Sequence, residues 1–512
     1  MELIASQALG SMQDFDPQCV ANTAWAFATL SCYNAPLMSA IACFAVEHAA
    51  EFAAQGLANT VWAFATLGVL DQPLVGAIAA EVTLRSSTFT SQGLTNTAWA
   101  FAMLSVEDGP MLGAIASSLM PHCSTMPFRE LAMTAWSFAN LLFHHEPVVT
   151  AIATAALPAL EKTAFEICGR GAQEACPVEM VASLAGSLKE LNAVPPEYMD
   201  CAAAAIQKAA KDVDGDRMQT AFEPDPTISD AGPAVLEVGK DLLVLWKPSG
   251  WVVNVRREAS AGFAEEDMLG EEPGDQALLL APWIAQNLGP RSPISADPDA
   301  QHGILHRLDA ETSGPLVCGT SYTGYALAML QFGSRNVIKE YLCLCHGWLS
   351  PQVKMMEQPL RYGERQAADL EGQPTTKLRA AKTEILSVAH FTAETAVSLV
   401  AVRLHTGRRN QIRAHLLYQG HPLVGDKIYG DGAGAKGWCR RLFLHSYRLR
   451  LDIGHGPLEA RCELPDDLRA TLSRLAPRDE LARHLQEHWL QFASKCSNAK
   501  TQNWDTSKGS YC

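Results

Sequence analysis

The chain has 512 residues, 48% of them hydrophobic, and sets 40 Lys and Arg against 55 Asp and Glu for a formal charge of −15. The length excludes one ordinary core and the composition excludes a disordered chain, so two or more globular domains are expected. No run of 18 apolar residues is available to span a membrane.

The 14 cysteines are scattered, and the closest pair, Cys343 and Cys345, lacks the partner cluster that a zinc site needs. They read as reduced thiols of an intracellular protein, with no metal expected. At the start, Met1-Glu-Leu-Ile carries no arginine-rich amphipathic leader.

The first predicted elements form a repeat. Trp25, Trp62, Trp99 and Trp136 follow one another at intervals of 37 residues, and so do Phe27, Phe64, Phe101 and Phe138, Thr23, Thr60, Thr97 and Thr134, and Pro36, Pro73, Pro110 and Pro147. The segment around each Trp is apolar around most of a helix, as when both sides pack on neighbours. The proline opens a second helix, whose core includes Ile41, Ile78, Ile115 and Ile152. An all-α solenoid of helical hairpins is therefore expected over residues 1–192, fading into a degenerate unit at 181–191.

The repeat length and the A-N-T-x-W-A-F-A wording resemble the heptatricopeptide and octotricopeptide repeats of organellar RNA-binding proteins, which implies a mitochondrion or plastid as the compartment. Asn22, Asn59 and Asn96 share one repeat position, and two readings stay open: they read bases, or they hydrogen-bond between stacked helices. Residues 1–150 hold only Arg85 and Arg129 against eleven acidic side chains, a balance of −9. Phosphate binding needs cations, so a protein partner docking on the repeats competes with RNA reading.

Residues 193–232, with Pro195-Pro196, Asp212 to Asp216 and Pro224-Asp-Pro226, read as a helical exit and a linker. From 233 to 470 the pattern turns mixed. Strands are expected at 235–246, 314–318, 340–345 and 397–404, and helices at 277–288, 326–332 and 411–419, with an acidic surface insertion at 259–274. This is an α+β domain on a central sheet. A C-terminal helix and a disordered tail from Ser494 fill 471–512.

Within this half, His302-Gly-Ile-Leu-His-Arg-Leu-Asp-Ala-Glu-Thr-Ser-Gly314 places Asp309 between an apolar run and a turn. Ile304, Leu305 and Leu308 suit a buried strand, which would put Asp309 at a strand end. Trp246-Lys-Pro-Ser-Gly250 precedes it. Lys339-Glu-Tyr341, Thr406-Gly-Arg-Arg-Asn-Gln-Ile-Arg-Ala-His415 and Gly420-His-Pro-Leu-Val-Gly-Asp-Lys-Ile-Tyr-Gly430 follow. These ordered blocks resemble the RluA-type pseudouridine synthases over residues 233–470.

The resemblance implies a mixed, largely antiparallel sheet and an RNA partner, with no DNA and no cofactor. Its catalytic residues would be Asp309, Tyr341 and Arg413, with Arg307, His306, Lys339, Arg408 and Gln411 as substrate contacts. Asp309 would attack the ribose anomeric carbon or take a ribose proton. Arg413 would keep it ionised, and Tyr341 would stack on an extruded uracil. His302, His306, His415 and His421 lack acidic and cysteine ligands at metal-site spacing.

Residues 401–450 hold ten Lys and Arg against Asp426 and Asp431, a balance of +8 that suits an RNA backbone. Three places depart from the pattern: the pair Ala310-Glu311 replaces a lysine-containing pair, Pro315 a leucine, and Asn410 a histidine. The small basic N-terminal module of many relatives is replaced by the repeats, so they are expected to select the target or its complex. The rival reading is a non-catalytic RNA-associated scaffold.

Overall fold

The computed structural model describes residues 1–167, 176–215, 232–253, 278–361, 378–430, 438–492 and 495–497. The described residues fall into two compact units, one made of 1–166, 176–206, 359–361 and 378–380 and the other of the remainder, so the chain passes from the first to the second within the helix Tyr198–Asp214.

The first unit is mainly helical: α1 (Glu2–Gly10), α2 (Pro17–Thr29), α3 (Ala35–Glu47), α4 (Ala54–Thr66), α5 (Gln72–Arg85), α6 (Ser91–Leu104), α7 (Gly109–Leu119), α8 (Phe128–Asn140), α9 (Glu146–Lys162), α10 (Glu179–Glu190) and the first part of α11 (Tyr198–Asp214), whose residues from Gln207 on belong to the second unit. Helices α2, α4, α6, α8 and α10 pack in succession as one row, and α1, α3, α5, α7 and α9 as another.

Pro36, Pro73 and Pro110 stand in the first turns of α3, α5 and α7, each behind an Asn34, Asp71 or Asp108 side chain that accepts from a backbone N–H three residues on. Ile41, Ile78, Ile115 and Ile152 are fully buried. Thr23, Thr60, Thr97 and Thr134 donate to the carbonyls four residues back, which lets a polar side chain sit at a packed position.

The second unit contains β1 (Ala234–Val238), β2 (Leu242–Lys247), α12 (Leu280–Asn287), β3 (Gly314–Gly319), α13 (Tyr322–Gly333), β4 (Ile338–His346), β5 (Thr383–Thr392), β6 (Ala396–Leu404), α14 (Gln411–Tyr418), β7 (Leu444–Asp452), β8 (Pro457–Arg461), α15 (Asp466–Ser473) and α16 (Glu480–Gln491). The eight-stranded sheet runs in the order Ala476–Pro477, β5, β6, β4, β7, β8, Lys495–Ser497, with Met355–Met356 beside β5, and every one of these pairs is antiparallel. A smaller sheet pairs β1, β2 and β3. A parallel bridge from Ser313 to His445 ties the start of β3 to β7.

Both faces of the large sheet are covered, and the alternation along β4 decides which side chain goes where. Leu342 and Leu344 face a core with Phe391, Tyr447, Leu472 and Trp489, while Tyr341, Cys343 and Cys345 face another with Leu308, Ile412 and Leu416. Burial pushes the Cys343 thiol far up and that of Cys345 to about 12, so both are core side chains in the neutral form.

Several expectations are corrected. The run expected as one strand over 235–246 is a hairpin that turns at Gly239-Lys240-Asp241. Ile304 makes one bridge to Cys318, but 305–309 belongs to no strand or helix, so Asp309 lies in a loop and not at a strand end. The expected linker contains α11, whose Tyr198, Ala202, Ile206 and Ala210 are buried. The expected boundary at 470 falls inside α15, because Leu472, Ala482 and Trp489 complete the sheet's core. The 259–274 insertion lies outside the described residues. So does the tail from Ser494, except Lys495–Ser497, which pairs with β8.

Candidate active site

The loop that carries Asp309 is held from two sides by buried cations. On one side Lys247, fully buried at the end of β2, donates through Nζ to the carbonyls of Asp309, Ala310 and Thr312 at 3.0, 3.1 and 2.7 Å. On the other, Arg441 donates to the Glu311 carbonyl at 2.9 Å and the Ser313 hydroxyl at 3.2 Å, while its Nε is bound to Asp467 at 2.6 Å.

Behind Ser313 stands buried His445, whose Nε2 lies 3.1 Å from the Cys462 carbonyl and whose Nδ1 lies 3.1 Å from both the hydroxyl and the carbonyl of Ser313. Burial pushes the His445 pKa down to about 4, so the ring is neutral. Gly314 ends the loop at φ 143°, and a Cβ there would lie 2.4 Å from the Ser446 carbonyl oxygen.

Arg413, on α14, points at this loop. Its Nη1 is 3.8 Å from Asp309 Oδ2, but its tight partner is Asp426, bound through Nε at 2.8 Å and Nη2 at 2.7 Å. The expected Asp309–Arg413 ion pair is present as the looser of two contacts, with the fork itself held by Asp426. Burial works against both charges of the close pair, yet their mutual bonds win: the Asp426 pKa is held below its usual range and that of Arg413 above. The Tyr429 ring lies 5.0 Å from the Arg413 guanidinium carbon.

Tyr341 reaches the same place from β4. Burial and then the charge of Asp309 push its phenol far above the usual range, so it stays protonated and able to donate. Asp309, Arg413 and Tyr341 therefore converge: an acceptor or nucleophile, a fixed cation and a protonated phenol.

Two expected substrate contacts are committed elsewhere. His306 is buried, its Nε2 accepting from the Val317 N–H at 3.0 Å and its ring stacked on Phe332. Burial, and then the Lys339 charge, bring its pKa down to about 3. Gln411 accepts from Thr406 Oγ1 and the Arg408 N–H and donates to the Lys382 carbonyl and Thr383 Oγ1, which uses both hydrogens and both lone pairs. Gln411 thus spends its whole amide, and His306 its Nε2, on the protein itself.

Lys339, Arg307 and Arg408 are half-buried. Lys339 acts on His306, and its Nζ would lie 3.1 Å from a Cβ on Gly407, so the 306–307 and 407–408 segments both flank it. The +8 balance of 401–450 is largely neutralised by residues from elsewhere. Arg403 binds Glu340, Arg448 binds Glu459, Arg441 binds Asp467 and Lys427 binds Glu311.

In the helical unit, Asn22 is exposed while Asn59 and Asn96 are half-buried, and no hydrogen bond joins any of them to a neighbouring helix among the described residues. A side-chain bond between neighbouring helices comes instead from Thr95 and Thr134, at 3.1 Å.

The sequence reasoning passed over Lys247, Asp426, Tyr429, Asn410 and Arg441 as site residues. The first four lie inside the motif blocks, where Lys247, Asp426 and Tyr429 each stand beside a Pro or Gly as the available signal, while Asn410, between Arg409 and Gln411, carries no such mark. Arg441 lies outside them, and only the structure brings it to the loop.

Known proteins resemble this chain in sequence across the segment that carries these residues. Residues 241–418 match the RNA pseudouridylate synthase family. The chain is 31% identical over 218 residues to the RNA pseudouridylate synthase domain-containing protein 1 of Bos taurus, covering 40% of this chain and 70% of that one. With tRNA pseudouridine synthase C of Salmonella typhimurium it shares 35% over 227 residues, 41% of this chain and 76% of that one.

With the ribosomal large subunit pseudouridine synthase D of Borreliella burgdorferi it shares 31% over 184 residues, spanning about half of that relative (54%). Among solved structures, the human RNA pseudouridylate synthase domain containing 1 aligns with a TM-score of 0.34 at 21% identity, over 52% of this chain and 97% of that one. The chain belongs to the RNA pseudouridylate synthase family.

Proposed function

We propose that the protein converts uridine to pseudouridine in a structured RNA, with Asp309 as its catalytic carboxylate. The relatives named for ribosomal large-subunit RNA and for tRNA make those two the substrate classes to try first. In the reaction the bond between the ribose anomeric carbon and uracil N1 breaks, the base turns, and carbon 5 bonds to the anomeric carbon. The carbon 5 proton leaves and N1 gains one, so atoms and electrons balance without a co-reactant.

Asp309 either attacks the anomeric carbon or takes a ribose proton, and both routes need it ionised beside Arg413. Tyr341 offers a stacking ring and a phenolic proton, while Arg307, Lys339 and Arg408 supply cations for phosphate. The observation that carries the reading is the convergence of Asp309, Arg413 and Tyr341 on one loop, held by Lys247 and Arg441.

The test is tritium release from RNA labelled at uridine carbon 5. Asp309→Asn keeps the shape and loses the charge, so it should bind RNA and release no tritium. Release at the wild-type rate by this variant would remove Asp309 from the chemistry, and no release by either protein on any such RNA would favour a scaffold.

Residues 1–192 we read as a solenoid of 37-residue hairpins that selects the target, and 233–492 as the catalytic domain. The shortage of cations in residues 1–150, two against eleven acids, favours a protein partner on the repeats over direct phosphate binding.

A further inference from the structure

Helix α14 opens at Asn410, which adopts a left-handed φ of 53° and makes no side-chain cap for its own helix. Its amide is used for something else. Oδ1 accepts from Arg413 Nη1 at 2.9 Å, and Nδ2 lies 3.4 Å from the Tyr429 hydroxyl. Asp426 already grips Arg413 through Nε and Nη2, so the guanidinium is fixed along one edge. Of the two hydrogens on Nη1, Asn410 takes one, and the nitrogen that keeps the other stands 3.8 Å from Asp309 Oδ2. Tyr429 covers the guanidinium face.

We infer that Asn410 is a positioning residue for the reaction: its amide oxygen aims Arg413 at Asp309, and because an amide does not titrate, it does so at every pH. The inference rests on the reading of Asp309 as the catalytic carboxylate. Asparagine suits the position twice, since it tolerates a positive φ and its oxygen accepts whatever the pH. A histidine at this place, as in the motif that the block resembles, would have an acceptor only while neutral; its imidazolium would point a donor at a cation. The charged and titratable groups around position 410 are Arg413 on α14, Asp426 and Tyr429 in the loop after it, Asp309 before β3, and Arg408 and Arg409 just upstream.

The test uses the full chain and unmodified transcripts of large-subunit rRNA and tRNA labelled at uridine carbon 5, with single-turnover rates followed against RNA concentration. Asn410→Gly removes the amide and adopts the positive φ freely, so strain at the helix start cannot account for its effect. Its maximal rate should fall roughly ten- to hundredfold, the worth of one hydrogen bond to a charged group, with the half-saturating RNA concentration within about twofold of wild type.

Asn410→His should work at about pH 8 and lose about tenfold or more by about pH 5.5, an acid limb near the ordinary histidine range that wild type lacks. An unchanged rate in Asn410→Gly, a loss that falls on RNA affinity instead of rate, or an Asn410→His profile parallel to wild type would each overturn the inference. Absence of tritium release by the wild type on these RNAs would overturn the functional reading and this inference together, whereas release by wild type with an unaffected Asn410→Gly overturns this inference alone.

Discussion

A catalytic carboxylate is only as well placed as the backbone beneath it, and here that backbone is held by the ammonium of a fully buried lysine. Lys247 spends its charge on the carbonyls of residues 309, 310 and 312. Lys247→Met keeps the stem and leaves those oxygens without their donor in a buried place, which should destabilise the protein by on the order of 3 kcal/mol and slow catalysis as well. An unchanged urea midpoint would mean that the loop holds its shape without the ammonium.

Two histidines make a second prediction at this scale. The folded-state pKa values of His306 and His445, about 3 and about 4, lie below the ordinary value, so the unfolded chain binds protons that the folded one refuses. Their contribution to stability is complete above about pH 6.5 and is lost as the pH falls from there toward the folded values, at about 1.4 kcal/mol per pH unit for each ring. Urea unfolding at about pH 7.5 and pH 5 should give a clear drop, of which His445→Asn abolishes about half of the histidine share; equal midpoints at both pH values would show that neither ring is buried neutral.

Asp309, Tyr341 and Arg413 were legible in the sequence only through the resemblance of their motif blocks to a known family. The commitments of His306 and Gln411 were not, because a motif does not tell whether a polar side chain faces a substrate or a neighbouring backbone.

Among the elements, β4 and β3 decide the geometry. The period of two along β4 sends Tyr341 to the face with Leu308 and Ile412 and sends Leu342 to the other, so a slip of one residue would remove the phenol from the site. Gly314 sets where β3 begins. At φ 143° and with a Cβ that would stand 2.4 Å from the Ser446 oxygen, Gly314→Ala must push β3 off β7 and carry the Asp309 loop with it.

The variant should lose most of its activity and about 2–4 kcal/mol of stability, read as tritium release and urea midpoint, since strain and overpacking add. Wild-type values for both would show that the approach of Gly314 to Ser446 relaxes without cost. The helices were more legible than the strands. The 37-residue period repeats both its helices and their capping residues, whereas the turn at Gly239-Lys240-Asp241 inside an apolar run had no proline or Asn-Gly pair to mark it.

On the scale of the whole molecule, every residue of the proposed reaction lies in the second unit, so the role we propose for the helical unit is the choice of target and not the chemistry. Composition separates two mechanisms. A phosphate-gripping array releases counterions and loses affinity steeply with salt, but residues 1–150 hold two cations, so any RNA contact they make must depend on bases or stacking and vary little with salt. Helices α2, α4 and α6 present Asn22, Asn59 and Asn96 each three residues before a Trp, on the same side of the helix, which keeps base reading physically available.

Deleting residues 1–192, while keeping α11 because its Asp214 carboxylate bonds the backbone N–H groups that open α13, should leave Asp309-dependent tritium release from a short uridine-containing oligonucleotide within a few-fold of the full chain. Modification of the natural site in cells, mapped by pseudouridine sequencing, should disappear. A partner protein retained by the full chain and lost with the deletion would assign the selection to docking. Loss of a salt-insensitive preference for one short single-stranded sequence would assign it to RNA reading. An unchanged map of modified sites after the deletion would refute both and leave the helices with no part in choosing the uridine.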